Sequence, residues 1–223
     1  CPQEQAHAAF AQALLESLAP ALCAAGGTRV RLNLRDAAVD PAAGLVQRWH
    51  EPDGVVQFWL PATNPRLFAG AEAALAAVSP HHAAWLVSEA TIIVNAAHAP
   101  APGARTWGWS QVTFLAFRPD LSPEVADAHW RTHHTEVAIE TQANFEYVQN
   151  RMVRALTLDA PAYDAFVEEC FAFEAMTDPM AFFDAVDDEA RYKANLAIMM
   201  DSCEAFIDFT RIDVIPTSQY DLG

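Results

Sequence analysis

The chain has 223 residues, is 52% hydrophobic and carries a formal charge of −16, with Lys193 as its single lysine. This composition supports a packed core in one domain or two small ones. The acidity argues against nucleic acid and anionic membrane surfaces as partners, because both carry negative charge themselves.

The segments and cysteines that report on cellular location point to the cytoplasm. No apolar run reaches the roughly 18–20 residues that a membrane span needs, and no signal peptide is visible. Cys1, Cys23, Cys170 and Cys203 form no CxxC pair and no closely spaced framework. We therefore expect free thiols in a reducing compartment.

The first half of the chain predicts the order helix, strand, strand, helix, strand. Apolar residues recur at helical spacing in the first segment, where Pro20 is expected to kink or break the last turns. Alternation of apolar and polar residues marks the first strand. The predicted elements are a helix over 4–24, strands over 28–36 and 54–60, a helix opened by Asn64–Pro65, and a strand over 84–94.

The second half follows a linker rich in Ala, Pro and Gly at residues 96–106. Ser122 and Pro123 mark the start of its first helix, with the serine as N-cap and the proline at the first helical position. The predicted elements are a strand over 107–117, a helix to about Gln142, strands over 144–156 and 163–175, a helix over 178–200, and a strand over 207–215.

The two halves share one element order, except that the first lacks an opening strand, which is expected upstream of Cys1. A β-α-β-β-α-β unit is the ferredoxin-like arrangement, an antiparallel sheet with both helices on one face. We predict an α+β protein with one unit over 1–98 and a second over 105–223, whose bare sheet faces cover each other. Two unrelated α+β domains are the alternative.

The segment HWRTHH, residues 129–134, concentrates three histidines on the first helix of the second half. In a regular helix, at about 100° per residue, His134 falls on the apolar stripe with Trp130, and His129 falls on the far side. The three imidazoles therefore cannot converge on one ion, and His129 and His133, at i, i+4, lack the glutamate of an HExxH motif. We predict no metal site, with His129 and His133 at the surface.

His134 has two interpretations. An imidazole on the core-facing stripe needs partners for its nitrogens, so it can be a core residue bonded to a backbone carbonyl. Alternatively it lines a cavity, where its reference pKa of about 6.5 suits proton transfer near neutrality.

Most of residues 109–214 resembles the EthD-like family of the dimeric α+β barrel superfamily. The similarity rests on RPDLSPEVADAHWRTHHTEVA, NFEYVQNRMV, YDAFVEECF and FFDAVDDEARYKAN, which occur in the family order. The first half matches only by arrangement. The resemblance implies that the two ferredoxin-like units form an intramolecular dimeric α+β barrel, which takes the place of the dimer that single-unit relatives make.

The resemblance also implies a site that works without metal or organic cofactor. In it His134 is the general acid–base and Tyr147 hydrogen-bonds a substrate oxygen. The pocket is expected between the helices and the sheet of the second unit. Its predicted aromatic walls are Trp109, Trp130, Phe145 and Phe171.

Three further residues are predicted to bind substrate. Arg151 lies on the same strand face as Tyr147 and suits a carboxylate or enolate, although a salt bridge to an acid explains it as well. Glu169 and Cys170 fall where related isomerases carry a reactive thiol, and only one of them can face the pocket, because neighbours on a strand point in opposite directions. Cys170 also suits an ordinary buried residue. The sequence departs from the family at Thr135–Glu136, where Ala-Pro is usual.

These predictions favour a cofactor-independent isomerase or lyase, catabolic in role, acting on a small aromatic, lactone or polyketide-like substrate. Two alternatives stay open: a haem-dependent or cofactor-free monooxygenase, and a non-catalytic protein that binds a small hydrophobic ligand. The expected partner is a small-molecule substrate. Beyond the internal pseudo-dimer, homo-oligomerisation stays open.

Overall fold

Within its described residues, the first half of the chain carries three strands and two long helices. The structure, a computed structural model, describes residues 9–50 and 52–223. Its elements are helix α1 (residues 9–24), β1 (Thr28–Leu34), a 3-10 helix (Ala37–Leu45), β2 (Gly54–Trp59), α2 (Pro65–Val78) and β3 (Trp85–Ile93). Where the sequence predicts a kink or break near Pro20, α1 contains a π-helical turn at Leu14–Leu18, which ends two residues before the proline. Cys1 and residues 4–8 of the predicted first helix lie outside the described residues.

The second half contains four strands and three helices within the described residues. They are β4 (Trp109–Phe117), α3 (residues 123–141), β5 (Glu146–Ala155), β6 (Ala165–Phe171), a 3-10 turn (Phe173–Met176), α4 (Pro179–Phe182), α5 (Glu189–Glu204) and β7 (Ile207–Asp221). Ser122 caps α3, because its hydroxyl accepts a hydrogen bond from the Val125 N–H at 3.3 Å. The predicted start of this helix is therefore confirmed.

The single helix predicted over 178–200 is wrong, because the chain turns between α4 and α5. Asp184 and Asp187 there have φ angles of 49° and 59°, which a right-handed helix excludes. Asp188 then caps α5 by accepting a hydrogen bond from the Arg191 N–H. Strand β6 ends at Phe171, four residues before its predicted end at 175. Strand β7 ends at Asp221, six residues after its predicted end at 215.

The seven strands of the described residues form one antiparallel sheet in the order β2-β1-β7-β4-β6-β5-β3. The second unit has the ferredoxin-like order β7-β4-β6-β5 within it. The first unit joins at both edges: β1 pairs with β7, and β3 pairs with β5. The sheet therefore curls as an open barrel, and the α+β fold predicted from the sequence is confirmed, with β2 and β3 at its two ends.

Each strand sends one set of side chains toward the helices and the other into the barrel. In β1, Val30, Leu32 and Leu34 are at most 1% exposed and pack against α1 and α2. Burial of such side chains contributes roughly 1.5–3 kcal/mol each. The alternate residues Arg31 and Asn33 point into the barrel, where they meet polar groups of the second unit.

Three of the cysteines, Cys23, Cys170 and Cys203, are free thiols. None of the helices in the described part of the chain has the length and apolar character that crossing a membrane requires.

Candidate active site

A π-helical turn in α3, Trp130–His134, sets which histidines share a face. The Thr135 N–H reaches the Trp130 carbonyl, five residues earlier, and the Thr135 hydroxyl donates to the same carbonyl at 2.9 Å. Residues five apart therefore lie on one side of the helix. The prediction that places His129 on the far side from His134 is wrong, because the turn holds an extra residue.

The imidazoles of His134 and His129 both contact Ser202 of α5. His134 Nδ1 lies 3.0 Å from the Ser202 hydroxyl, and His129 Nε2 lies 3.1 Å from the Ser202 carbonyl oxygen. The His134 ring packs on Phe206 with the centroids 4.8 Å apart. Burial, followed by the nearby His129 and His133, lowers the pKa of His134 to about 4. His134 is therefore neutral at pH 7, with Nδ1 bonded to Ser202 and no partner at Nε2 within the described residues.

Tyr147 of β5 is 1% exposed and belongs to the core cluster that contains Trp130 and Phe206. Its hydroxyl accepts a hydrogen bond from Gln149 Nε2 at 2.7 Å, and the same amide donates to the Thr135 hydroxyl at 2.8 Å. Burial, and then the negative charge of a neighbouring glutamate, raise the Tyr147 pKa above its usual range. Tyr147 is thus a neutral phenol in a hydrogen-bonded chain that leads to α3.

Glu169 of β6 is the buried acid of this region. It lies directly opposite Tyr147 in the sheet and is 6% exposed. Asn144 Nδ2 donates a hydrogen bond to its carboxylate at 2.9 Å. Burial raises the Glu169 pKa to about 7, and this one hydrogen bond only partly offsets the rise. A carboxyl with this pKa gains and loses its proton near neutral pH.

Cys203 of α5 lies close to Glu169 and Tyr147. Burial, and then the Glu169 carboxylate, raise the Cys203 pKa to about 12, so the thiol stays protonated. Cys203 follows Ser202, the partner of His134, and so connects the two ends of the site. Asn144, Ser202 and Cys203 carry no sequence signal of their own, because each acquires its role only through tertiary contacts.

Cys170 lies on the opposite face of β6 from Glu169. It is fully buried in the barrel, where it sits across from Ser110 of β4 and Glu146 of β5. Of the two neighbouring candidates, Glu169 faces the helices with Tyr147. Cys170 cannot bind a substrate in the predicted helix-side pocket, and burial raises its pKa well above the usual range.

Trp109 and Phe171 lie in a cluster separate from Trp130. Both are buried, their rings stack 5.6 Å apart, and Phe171 also stacks on Phe182 of α4 at 4.3 Å. The four predicted aromatic walls therefore do not form one enclosure around His134.

Phe145 and Arg151, on either side of Tyr147 in the chain, have other partners. Phe145 packs at 5.7 Å against the ring of Trp107, which is 42% exposed. Arg151 Nε lies 3.1 Å from an Asp127 carboxylate oxygen, and its guanidinium covers Phe117 at 4.8 Å. The ion pair, which the sequence left as an alternative, accounts for Arg151.

The structure thus brings His134, Trp130, Tyr147 and Glu169 to the layer between α3, α5 and the sheet. This layer holds the His134 imidazole, the Tyr147 phenol and the Glu169 carboxyl in largely apolar surroundings. The first two are neutral at pH 7, and the third titrates near neutral pH. Within residues 9–50 and 52–223 no cluster of three or more His, Cys, Asp or Glu side chains suits a metal ion.

Comparison with known proteins finds a family match within the second half of the chain. The EthD domain family model matches residues 118–210, which span α3 to the first part of β7 and contain the whole layer. No curated protein matches the chain. A solved structure described as an anthrone oxidase-like protein is similar at 14% identity and a TM-score of 0.44, over 87% of this chain and 92% of that one. A likeness of this level assigns no activity.

Residues 118–210 thus match the EthD domain family, and the resemblance predicted for the C-terminal half is confirmed. The match indicates an EthD-like domain in this part of the chain and leaves the reaction unspecified.

Proposed function

We propose that the protein is a cofactor-independent enzyme that moves protons on a small aromatic, lactone or polyketide-like substrate, in an isomerase or lyase reaction. The observation that carries the proposal is the Glu169 carboxyl. It is buried, holds a single hydrogen bond from Asn144, and has a pKa raised to about 7. Such a group can take and return a proton at physiological pH without metal.

The proposed step begins at a substrate C–H bond next to a carbonyl. The Glu169 carboxylate takes this proton, and the bonding electrons move to the carbonyl oxygen to form an enolate. Tyr147 is a neutral phenol and can donate a hydrogen bond to this oxygen. Return of the proton to another carbon completes an isomerisation, whereas loss of a β-substituent completes an elimination.

His134 supplies the second polar contact in this proposal. Its pKa near 4 makes it a weaker base than Glu169 at pH 7. Ser202 fixes the ring through Nδ1, so Nε2 can hydrogen-bond a substrate oxygen. We therefore assign the main proton transfer to Glu169. His134 is assigned to hydrogen bonding and proton exchange at the substrate oxygen.

Deuterium exchange tests the proposal directly. A panel of enol lactones and polyketide-like phenols is incubated with the protein in D₂O, and proton NMR follows exchange at carbon. The Glu169→Gln variant is expected to lose about 10²–10⁴-fold in rate, the usual contribution of a general base. His134→Ala is expected to lose less.

Two exposed neighbours provide matched controls on α3. Glu136→Gln removes a carboxylate and His133→Ala removes an imidazole outside the buried layer. Both should retain the exchange rate of the unmodified protein. A Glu169→Gln variant as active as Glu136→Gln would refute the assignment, and dependence of activity on added haem would favour the monooxygenase alternative.

A further inference from the structure

The inner face of the sheet borders a cavity of about 540 Å³ that is partly open to solvent and separate from the layer that holds Glu169. Both ends of the curled sheet contribute to it, through Trp59 of β2 and Thr91 of β3. Glu146 and Val148 of β5 also line it, and the inter-unit linker covers part of its mouth. The volume lies in the range of small-molecule pockets.

The charges around this cavity do not balance. Arg31 Nη1 lies 2.7 Å from Glu146 and 3.3 Å from Glu168, and Nη2 lies 3.5 Å from Asp221. One guanidinium therefore serves three carboxylates. Arg29, at the rim, pairs with Glu89 at 3.4 Å and adds no surplus positive charge. Glu146 and Glu168 are buried and share this one cation, whereas Asp221 is 45% exposed to solvent. One buried carboxylate therefore has no cation of its own, which is costly.

Glu168 is saturated, since its two oxygens receive four hydrogen bonds. The donors, each from a different residue, are Arg31, Asn33, Gln57 and Gln219. Its position is thereby fixed, and it has no bond left for a ligand.

Glu146 differs from Glu168 because one of its oxygens is open. Oε1 accepts hydrogen bonds from Arg31 and from Gln219 at 3.3 Å. Oε2 has no hydrogen-bond partner within residues 9–50 and 52–223, although the residue is 4% exposed and lines the cavity. This oxygen is an acceptor at the wall of the cavity.

Asn150 supplies an independent sign of an absent partner. It is fully buried, and both its amide nitrogen and its amide oxygen lack partners in the described part of the chain. It lies directly across from Glu89, a cavity residue, so both side chains point into the barrel. Buried amides are nearly always hydrogen-bonded, so Asn150 marks an unfilled polar position on the same face of β5 as Glu146, next to Val148 of the cavity wall.

We propose that the barrel cavity binds a small organic ammonium ion, whose charged nitrogen bonds Glu146 Oε2 and whose carbon skeleton lies against Trp59, Val94 and Val148. The surplus of carboxylates selects a cation. The apolar walls favour an organic cation over a metal ion, which would need several oxygen ligands in place of these side chains.

Calorimetric titration of the whole protein with 2-phenylethylamine at pH 7.5 tests this site, with 2-phenylethanol as the neutral analogue of the same shape. The amine is expected to bind one to one. The alcohol should bind at least about tenfold more weakly, because it lacks the charge-assisted hydrogen bond. Equal affinities, or no amine binding at concentrations on the order of 10 mM, would overturn the proposal.

Variants locate the bound amine. Glu146→Gln should weaken amine binding about tenfold or more. Thr91→Trp places a bulky side chain at the cavity wall, outside the carboxylate network, and should also weaken amine binding. It provides a second test if Glu146→Gln does not fold. Glu136→Gln serves as the exposed control, and Glu169→Gln should bind the amine normally. Amine-induced NMR shifts at the Asn150 side-chain amide support the barrel site, whereas shifts confined to Asn144 would contradict it.

Discussion

The buried carboxyl of Glu169 makes the stability of the protein depend on pH in a defined direction. Its pKa rises from 4.5 in the unfolded chain to about 7 in the fold, because burial disfavours the charged form. The folded state therefore binds the proton more tightly than the unfolded state. The stabilisation is complete below about pH 4.5 and is lost as the pH rises through 7.

Replacement of Glu169 by Gln removes this dependence, because a neutral amide has no proton to lose. At about 1.4 kcal/mol for each tenfold change in proton affinity, the full effect is about 3 kcal/mol. About 2 kcal/mol of it falls between pH 5.5 and 8.5. The free energy of unfolding of the variant should rise relative to that of the unmodified protein by this amount over the interval.

Urea unfolding of both proteins at half-unit steps from pH 5.5 to 8.5 measures the difference. All other titrating groups are common to both proteins, so their contributions largely cancel. Glu136→Gln, at an exposed site of α3, should show a difference that stays flat with pH. A Glu169→Gln difference that is constant to within about 0.5 kcal/mol would refute the raised pKa and weaken the proposed chemistry with it.

Glu168→Gln should cost about 1–3 kcal/mol in urea unfolding, because its amide NH2 group would replace an oxygen that accepts hydrogen bonds from two donors, and a loss below about 0.5 kcal/mol would contradict that role. Gly108→Ala should lower the free energy of unfolding by at least about 2 kcal/mol, because φ is +79° and a Cβ would lie 2.0 Å from the Phe171 carbonyl oxygen. An unchanged Tm would be inconsistent with this contact. In an NMR titration, His134 should show a pKa of about 4, and the stability it contributes is lost as the pH falls from about 6.5 through 4. A midpoint near 6.5 would argue against its burial.

Local sequence patterns predicted much of the candidate site but not its arrangement. Helical periodicity and the family motifs both selected His134, and strand alternation showed that Glu169 and Cys170 face opposite ways. Neither pattern could show that Glu169 takes the helix side, because a shift of one residue in strand register exchanges the two faces. Only the pairing of Tyr147 with Glu169 in the sheet decides the choice.

The π turn marks a second limit of local patterns. A regular helix places His129 and His134 on different sides. In α3 the Thr135 hydroxyl and N–H both bond to the Trp130 carbonyl, and the resulting π turn brings the two histidines to one side. The contacts of both imidazoles with Ser202, 68 or more residues away, accompany the irregular form.

The sequence by itself determined the order of the strands and long helices along the chain, the N-cap of α3 and the EthD resemblance of the second half. These features depend on side-chain spacing and on backbone preferences within a few residues. The tertiary structure alone decided that the two units join at both sheet edges, that Glu169 is the buried acid, and that Arg31 meets three carboxylates inside the barrel. Each of these depends on burial and on contacts between residues far apart in the chain, whose energies no local pattern contains.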